Sequence, residues 1–140
     1  PDVKEQIRKL NLPVEKVNYF FGDQQERSRA RRVLQERGDV IVSSSLDNNL
    51  EINAPGATKG EAILRLAGHL GLCREQTMGF GDGENDMTMI RTAGIGVAMG
   101  NAVEALKAEA DYVTVTNDED GVADAIEKLV LNVEMESRHN

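Results

Sequence analysis

The sequence predicts an α/β protein in which a parallel sheet with flanking helices follows a shorter α+β segment. From Thr58 onward, strand-like and helix-like runs alternate regularly, an order typical of parallel strands with helices packed on the sheet. Before residue 55 two β-rich runs follow each other directly and indicate a hairpin. The short connector APGA at 54–57 separates the two patterns. We therefore expect two domains, residues 1–54 and residues 55–140.

The first segment is predicted to contain two helices, a strand and a hairpin. Apolar residues at helical spacing predict a helix over 3–10. Asp23 and Gly38 suit the start and the stop of a second helix, over 23–37. The predicted strands cover 17–21, 39–45 and 50–54, and the last two are joined by the turn-forming residues 46–49.

The second segment is predicted to alternate helices and strands. Thr58 and Glu61 form a T-x-x-E capping box for a helix that ends at Gly71. Asn101 is expected to cap a helix that begins at Ala102. The other predicted elements are strands over 77–80, 94–99 and 111–116 and helices over 85–92 and 120–130.

Composition limits the partners and the compartment. Sixteen basic against twenty-four acidic residues give a net charge of -8, which argues against general binding to nucleic acid or to an anionic membrane. No apolar run approaches the roughly 20 residues that span a bilayer. Because Cys73 is the single cysteine, an internal disulfide is excluded and a cytoplasmic location is expected. The tail EMESRHN at 134–140 is expected to fray.

The most informative motif is GDGEND at 81–86, which lies between a predicted strand and a predicted helix. In open α/β sheets, ligands bind beyond the carboxyl ends of the strands, where this loop is placed. Its carboxylates repel one another, and a hard divalent cation such as Mg²⁺ would relieve the repulsion. The alternative is a polar loop that caps the next helix, an interpretation that suits most isolated acidic loops.

Lys59 is the second candidate functional residue. It lies in the first turn of a predicted helix, where the helix dipole disfavours a cation. A residue that breaks a local rule can mark a functional site, although a lone lysine is more often a solvated surface charge. Together with the acidic loop, Lys59 would supply the charge neutralisation that phosphoryl transfer requires.

Four motifs in the second half of the chain point to a known family. They are T-K-G at 58–60, G-F-G-D-G-E-N-D-M at 79–87, G-V-A-M-G-N-A at 96–102 and N-D-E-D-G-V-A at 117–123. The stretch from Glu51 to Leu129 closely resembles the Cof-type branch of the haloacid dehalogenase superfamily of phosphatases. This resemblance implies that 55–140 form part of a Rossmann-like core with a parallel sheet, and that 1–54 are the last part of a substrate-selecting cap domain.

The resemblance also implies roles for individual residues. Lys59, Asp82 and Asp86 would be catalytic, with Lys59 stabilising the nucleophile and the transferring phosphoryl group. Asp82 and Asp86 would form the Mg²⁺ site, with Asp82 as a ligand and Asp86 in support. Asn85 and Lys59 would bind the phosphate of a small phosphorylated metabolite.

One motif of the family is absent. The reaction needs an aspartate nucleophile and a second aspartate in a D-x-D-G-T motif, and this string does not occur in the 140 residues. The similar DEDG at 118–121 follows the last predicted strand. Covalent catalysis needs its nucleophile. The chain is therefore interpreted as the carboxyl-terminal half of a Mg²⁺-dependent phosphatase that works through an aspartyl-phosphate.

Two interpretations of the chain's own activity follow. On the first, the intact protein is a phosphatase, and this chain alone is inactive because it needs the amino-terminal half of the core. On the second, the chain only binds metal or phosphate, or is a structural fragment.

Overall fold

The computed structural model describes residues 2–11 and 14–131. The chain divides into two compact units, unit 1 over Pro1–Ala57 and unit 2 over Thr58–Asn140. The predicted tail at 134–140 lies outside the described residues. Within the described part of the chain, no helix is long and apolar enough to cross a membrane.

Unit 1 contains two helices and three short strands. Asp23 begins the longer helix, because its carboxylate accepts hydrogen bonds from the N–H groups of Gln25 and Glu26 at 2.7 and 2.8 Å. Gly38 ends that helix with a left-handed φ of 71°. The elements are α1 (Val3–Leu10), β1 (Lys16–Phe20), α2 (Gln24–Arg37), β2 (Ile41–Ser43) and β3 (Asn49–Asn53).

The sheet of unit 1 is antiparallel, in the order β1–β3–β2. Strands β2 and β3 form the predicted hairpin, with Val42 opposite Ile52. Strand β1 pairs with the other edge of β3, where Val17 faces Ile52. The central position of β3 explains why Leu50 is completely buried.

Unit 2 has the alternating order that the sequence predicts. Its helices and strands are α3 (Lys59–His69), β4 (Met78–Gly81), α4 (Met87–Thr92), β5 (Ile95–Ala98), α5 (Glu104–Lys107), β6 (Tyr112–Val113) and α6 (Gly121–Leu129). Short 3₁₀ turns lie at Arg74–Gln76, Glu84–Asp86 and Asn117–Glu119. The α/β fold class with a parallel sheet is thus confirmed.

The sheet of unit 2 is parallel, in the order β4–β5–β6. Gly79 of β4 faces Gly96 of β5, and Val97 of β5 faces Tyr112 of β6. The buried core forms around the carboxyl end of β5. Its members are Ile90, Ala98, Met99, Ala102 and Leu106, with Phe80, Met87 and Ala110 packed against them.

The expected helix cap at Asn101 is wrong. Helix α5 begins at Glu104, and Val103 occupies its cap position without a side-chain cap hydrogen bond. The physical reason is that the backbone after β5 pairs with the end of β4. The N–H of Met99 donates to the carbonyl of Gly81 at 2.9 Å, and the N–H of Val103 donates to the carbonyl of Asp82 at 3.0 Å.

Candidate functional site

The candidate site lies in unit 2, where the carboxyl end of β4 meets the start of α3. Strand β4 ends at Gly81, and Asp82 and Gly83 lead into the 3₁₀ turn Glu84–Asp86. Helix α3 begins at Lys59, and Thr58 caps it by accepting a hydrogen bond from the N–H of Glu61 at 3.1 Å. The sequence predicted the helix start after Thr58, and it placed the end of the strand at residue 80, one residue before the observed end. These boundaries place Lys59 next to the acidic loop.

Lys59 and Asp86 form an ion pair. Lys59 Nζ donates to Oδ1 of Asp86. The side chain of Asp86 is 6% exposed and that of Lys59 is 49% exposed, so the carboxylate is buried while about half of the lysine side chain remains in contact with solvent. This contact explains how a cation is tolerated in the first turn of a helix, against the helix dipole.

The second oxygen of Asp86 is also occupied. Oδ2 accepts hydrogen bonds from the backbone N–H groups of Asp82 at 3.0 Å and Gly83 at 3.1 Å. Burial by itself raises the pKa of Asp86, but the bonds from Lys59, Gly83 and Asp82 outweigh it, and the net pKa lies below its ordinary value. Asp86 is therefore an anion that holds both Lys59 and the loop in place.

Two glycines permit the close contacts of the site. A Cβ atom on Gly81 would lie 2.4 Å from the Cβ of Asp86, and a Cβ atom on Gly60 would lie 2.6 Å from the carbonyl oxygen of Thr88. The N–H of Gly60 donates to Oγ1 of Thr88 at 3.2 Å. Helices α3 and α4 thus touch through a glycine directly beside Lys59, and this contact sets the position of the lysine.

Asp82 and Asn85 complete the set of predicted residues. Asp82 is exposed, and its Oδ2 lies 3.5 Å from Nδ2 of Asn101. Asn85 is half-buried, and its Oδ1 would lie 3.2 Å from a Cβ atom on Gly83. The structure therefore pairs Lys59 with Asp86 and places Asp82 and Asn85 on the same short loop.

The donor set decides which residues can hold a metal ion. Asp86 was predicted as part of the metal site, but both of its oxygens accept hydrogen bonds from nitrogen atoms, which favours a supporting role. The exposed carboxylate of Asp82 suits a hard cation, and Mg²⁺ usually takes only one or two protein carboxylates. Among the described residues, no group of three or more His, Cys, Asp or Glu side chains could hold a metal ion.

Sequence reasoning missed two residues that contact the site. The hydroxyl of Thr88 accepts a hydrogen bond from the N–H of Gly60, and Asn101, in the loop after β5, contacts the carboxylate of Asp82. The G-N-A within GVAMGNA was the only signal for Asn101, and it was interpreted as a local helix cap. Thr88 carried no signal, because its contact depends on the packing of two helices.

The structure is an α/β fold in which the acidic loop follows the carboxyl end of a parallel strand, and ligands of open α/β sheets commonly bind at this edge. A family model described as haloacid dehalogenase-like hydrolase matches residues 1–126. The chain belongs to this family, and the predicted resemblance is confirmed.

Curated relatives and solved structures support the same family. The chain is 40% identical over 116 residues to 5-amino-6-(5-phospho-D-ribitylamino)uracil phosphatase YcsE of Bacillus subtilis, covering 83% of this chain and 47% of the relative. A haloacid dehalogenase-like hydrolase from B. subtilis superposes with a TM-score of 0.84 at 35% identity, over 90% of this chain and 45% of the other.

The sugar phosphatase BT4131, of subclass IIB, superposes with a TM-score of 0.75 at 37% identity, over 84% of this chain and 44% of the other. The chain thus spans about half the length of the relatives it matches.

Proposed function

We propose that this chain is part of a Mg²⁺-dependent phosphatase that hydrolyses the phosphomonoester of a small metabolite. The observation that carries the proposal is the ion pair of Lys59 with the buried Asp86, beside the exposed carboxylate of Asp82. A fixed cation and an open carboxylate at the end of a parallel strand can serve a phosphate and its metal ion.

In this proposal, each of the four site residues has a different role. Asp82 is the protein ligand of Mg²⁺, which supplies charge neutralisation for the phosphate oxygens when bound. Lys59, whose side chain is half-exposed, offers its ammonium group to the transferring phosphoryl group. Asn85 contacts the phosphate from the same loop, and Asp86 holds Lys59 in place through their ion pair. These four roles belong to the proposal, and their support is the geometry of the loop.

The nucleophile is proposed to be an aspartate of a D-x-D-G-T motif, which forms an aspartyl-phosphate. That string does not occur among the 140 residues, and the relatives are about twice as long as the chain. Both facts support the proposal that an amino-terminal half of the core is needed for turnover.

The substrate class follows from the relatives and from unit 1. YcsE and BT4131 are named for phosphates of a ribityl compound and of a sugar, which supports a small polyhydroxyl phosphate as substrate. Residues 1–54 are proposed as part of a substrate-selecting cap, and the division of the chain into two units supports a separate role for them. The free thiol of Cys73 suits a reducing compartment, and the proposed location is the cytoplasm.

A second candidate function is binding without turnover. The missing D-x-D-G-T string favours it for this chain in isolation, because the described residues that could bind phosphate and metal lack a partner nucleophile. The two candidates make different predictions for the isolated chain and for an extended protein. We define the extended protein as this chain preceded by a D-x-D-G-T-bearing amino-terminal segment from the same family.

The test is a phosphatase assay of both proteins on small phosphomonoesters with Mg²⁺. We expect background rates for the 140-residue chain and Mg²⁺-dependent turnover for the extended protein. The matched control is the extended protein with the first aspartate of its D-x-D-G-T motif changed to asparagine, which should be inactive. Steady turnover by the 140-residue chain that is lost in Asp82→Ala would contradict the proposed nucleophile. An inactive but folded extended protein would favour binding without turnover.

A further inference from the structure

Asn101 lies in the loop after β5, and the backbone fixes its place from both sides. The N–H of Met99 donates to the carbonyl of Gly81, and the N–H of Val103 donates to the carbonyl of Asp82. These bonds extend the pairing of β4 and β5 beyond the ends of both strands. Backbone hydrogen bonds, which do not involve the side chain at position 101, therefore hold the loop over 99–103 against the acidic loop.

The side-chain amide of Asn101 has a defined orientation. Its Oδ1 accepts a hydrogen bond from the backbone N–H of Asn117 at 3.0 Å. Since the oxygen is committed to Asn117, the NH₂ group faces Asp82, whose Oδ2 lies 3.5 Å away. One side chain thus links the loops that follow β4, β5 and β6.

We infer that Asn101 is a positioning residue for the carboxylate of Asp82. The inference rests on the proposed function, in which Asp82 is the cation ligand. The NH₂ group of Asn101 donates a long hydrogen bond of 3.5 Å to Oδ2 of Asp82, and among the described residues no hydrogen bond engages the other oxygen, Oδ1. The carboxylate is therefore oriented with Oδ1 open to a cation. Hydrogen-bond partners of ligating groups typically change metal affinity about 10- to 100-fold when removed.

The experiment uses the full 140-residue chain and Mn²⁺ as a paramagnetic stand-in for Mg²⁺. Titration with MnCl₂ is followed by the broadening of backbone amide NMR signals over 81–86. In the wild type we expect the broadening to centre on Asp82, and in Asp82→Asn we expect it to disappear. In Asn101→Ala we expect the same signals to broaden, but only at about tenfold higher Mn²⁺, the lower end of the range because the contact is long.

Asn117→Ala is the matched control, since it removes a neighbouring asparagine side chain and keeps the N–H that binds Asn101. It should titrate like the wild type. Hydrogen exchange at the amides of Met99 and Val103 reports on the backbone bonds of the loop, and their protection should survive in Asn101→Ala.

The outcomes separate the inference from the proposed function. Broadening that is absent in the wild type, or unchanged in Asp82→Asn, would overturn Asp82 as the ligand and the inference with it. If Asp82→Asn behaves as expected but Asn101→Ala titrates like the wild type, the inference alone is overturned. The same holds if Asn101→Ala loses protection at Met99 and Val103, because the loss of affinity would then come from the backbone.

Discussion

At the scale of single residues, the site depends on a buried carboxylate that is kept ionised. Water stabilises a carboxylate anion, and burial of Asp86 removes that stabilisation. Lys59 and two backbone N–H groups replace it. The pKa of Asp86 is therefore lower in the folded chain than in the unfolded chain, where the carboxyl group has its ordinary pKa. Ionised Asp86 consequently stabilises unit 2.

This linkage predicts a pH-dependent stability difference between the wild type and Asp86→Asn. A depressed folded pKa contributes stability that is present above about pH 3.9 and is lost as pH falls through the folded pKa. The urea midpoint of unit 2, followed by its NMR signals, should be higher in the wild type at neutral pH. The difference in urea midpoint between the wild type and Asp86→Asn should narrow below about pH 3.9. A gap that stays constant or widens on acidification would argue against the Lys59–Asp86 account.

The sequence pointed to some residues of the candidate site and not to others. Lys59 and the GDGEND loop could be selected because a cation at a helix start and clustered carboxylates are local anomalies. Asn101 was misassigned, because a helix cap is a local feature whereas its actual partners, Asp82 and Asn117, are 19 and 16 residues away. Long-range hydrogen bonds of this kind leave no periodic signal in the sequence.

At the scale of elements, the contact of α3 with α4 sets the position of Lys59. Gly60 and Gly68 lie on the same helix, but a Cβ atom would collide with α4 only at Gly60, since a Cβ on Gly68 would meet nothing within 4 Å. The two glycines therefore form a matched pair for testing the contact.

Gly60→Ala should destabilise unit 2 by about 1–3 kcal/mol, because the new methyl group would overlap the carbonyl of Thr88. Gly68→Ala should leave stability unchanged or raise it by up to about 1 kcal/mol, since alanine is the better helix former. Urea unfolding of both variants measures the difference. Equal effects of the two substitutions would show that α3 does not depend on close approach at Gly60.

In the hairpin of unit 1, the loop between β2 and β3 is held by the side chain of Asn49. The sequence indicated a turn at 46–49 from its Asp and Asn residues. In the structure, Asn49 is completely buried, and its Oδ1 accepts bonds from the N–H groups of Ser45 and Leu46 at 3.1 and 3.0 Å. The neighbouring Asn48 is exposed, so the two asparagines have different roles.

Asn49→Ala should therefore destabilise unit 1 by about 1–3 kcal/mol, because it leaves those N–H groups without their acceptor. Asn48→Ala, one residue earlier, should change stability by less than about 0.5 kcal/mol. Thermal and urea unfolding, followed by the signals of unit 1, measure the stability of both variants. Equal stability of the two variants would contradict the role of Asn49 as the acceptor that holds the loop.

At the scale of the whole molecule, the alternation of strands and helices after Thr58 predicted the parallel sheet, and the hairpin pattern before it predicted the antiparallel one. Both sheets are present. Element lengths were less predictable: the strand expected over 111–116 is reduced to Tyr112–Val113. Backbone hydrogen bonds to the β5 segment continue past the strand, from the N–H of Thr114 to the carbonyl of Ala98 and from the N–H of Gly100 to the carbonyl of Val115, both at 3.0 Å.

The central claim is that Lys59 and Asp82 serve one phosphate and its metal ion through different physical effects. The most direct measurement is a Mg²⁺ titration of the phosphatase rate in the extended protein, for the wild type, Asp82→Asn and Lys59→Ala. Asp82→Asn should need more Mg²⁺ to reach its half-maximal rate, because it loses a charged oxygen ligand. Lys59→Ala should keep the wild-type Mg²⁺ midpoint but lose about 10²–10³ in rate at saturating Mg²⁺. A wild-type midpoint in Asp82→Asn, or a wild-type rate in Lys59→Ala, would contradict the account.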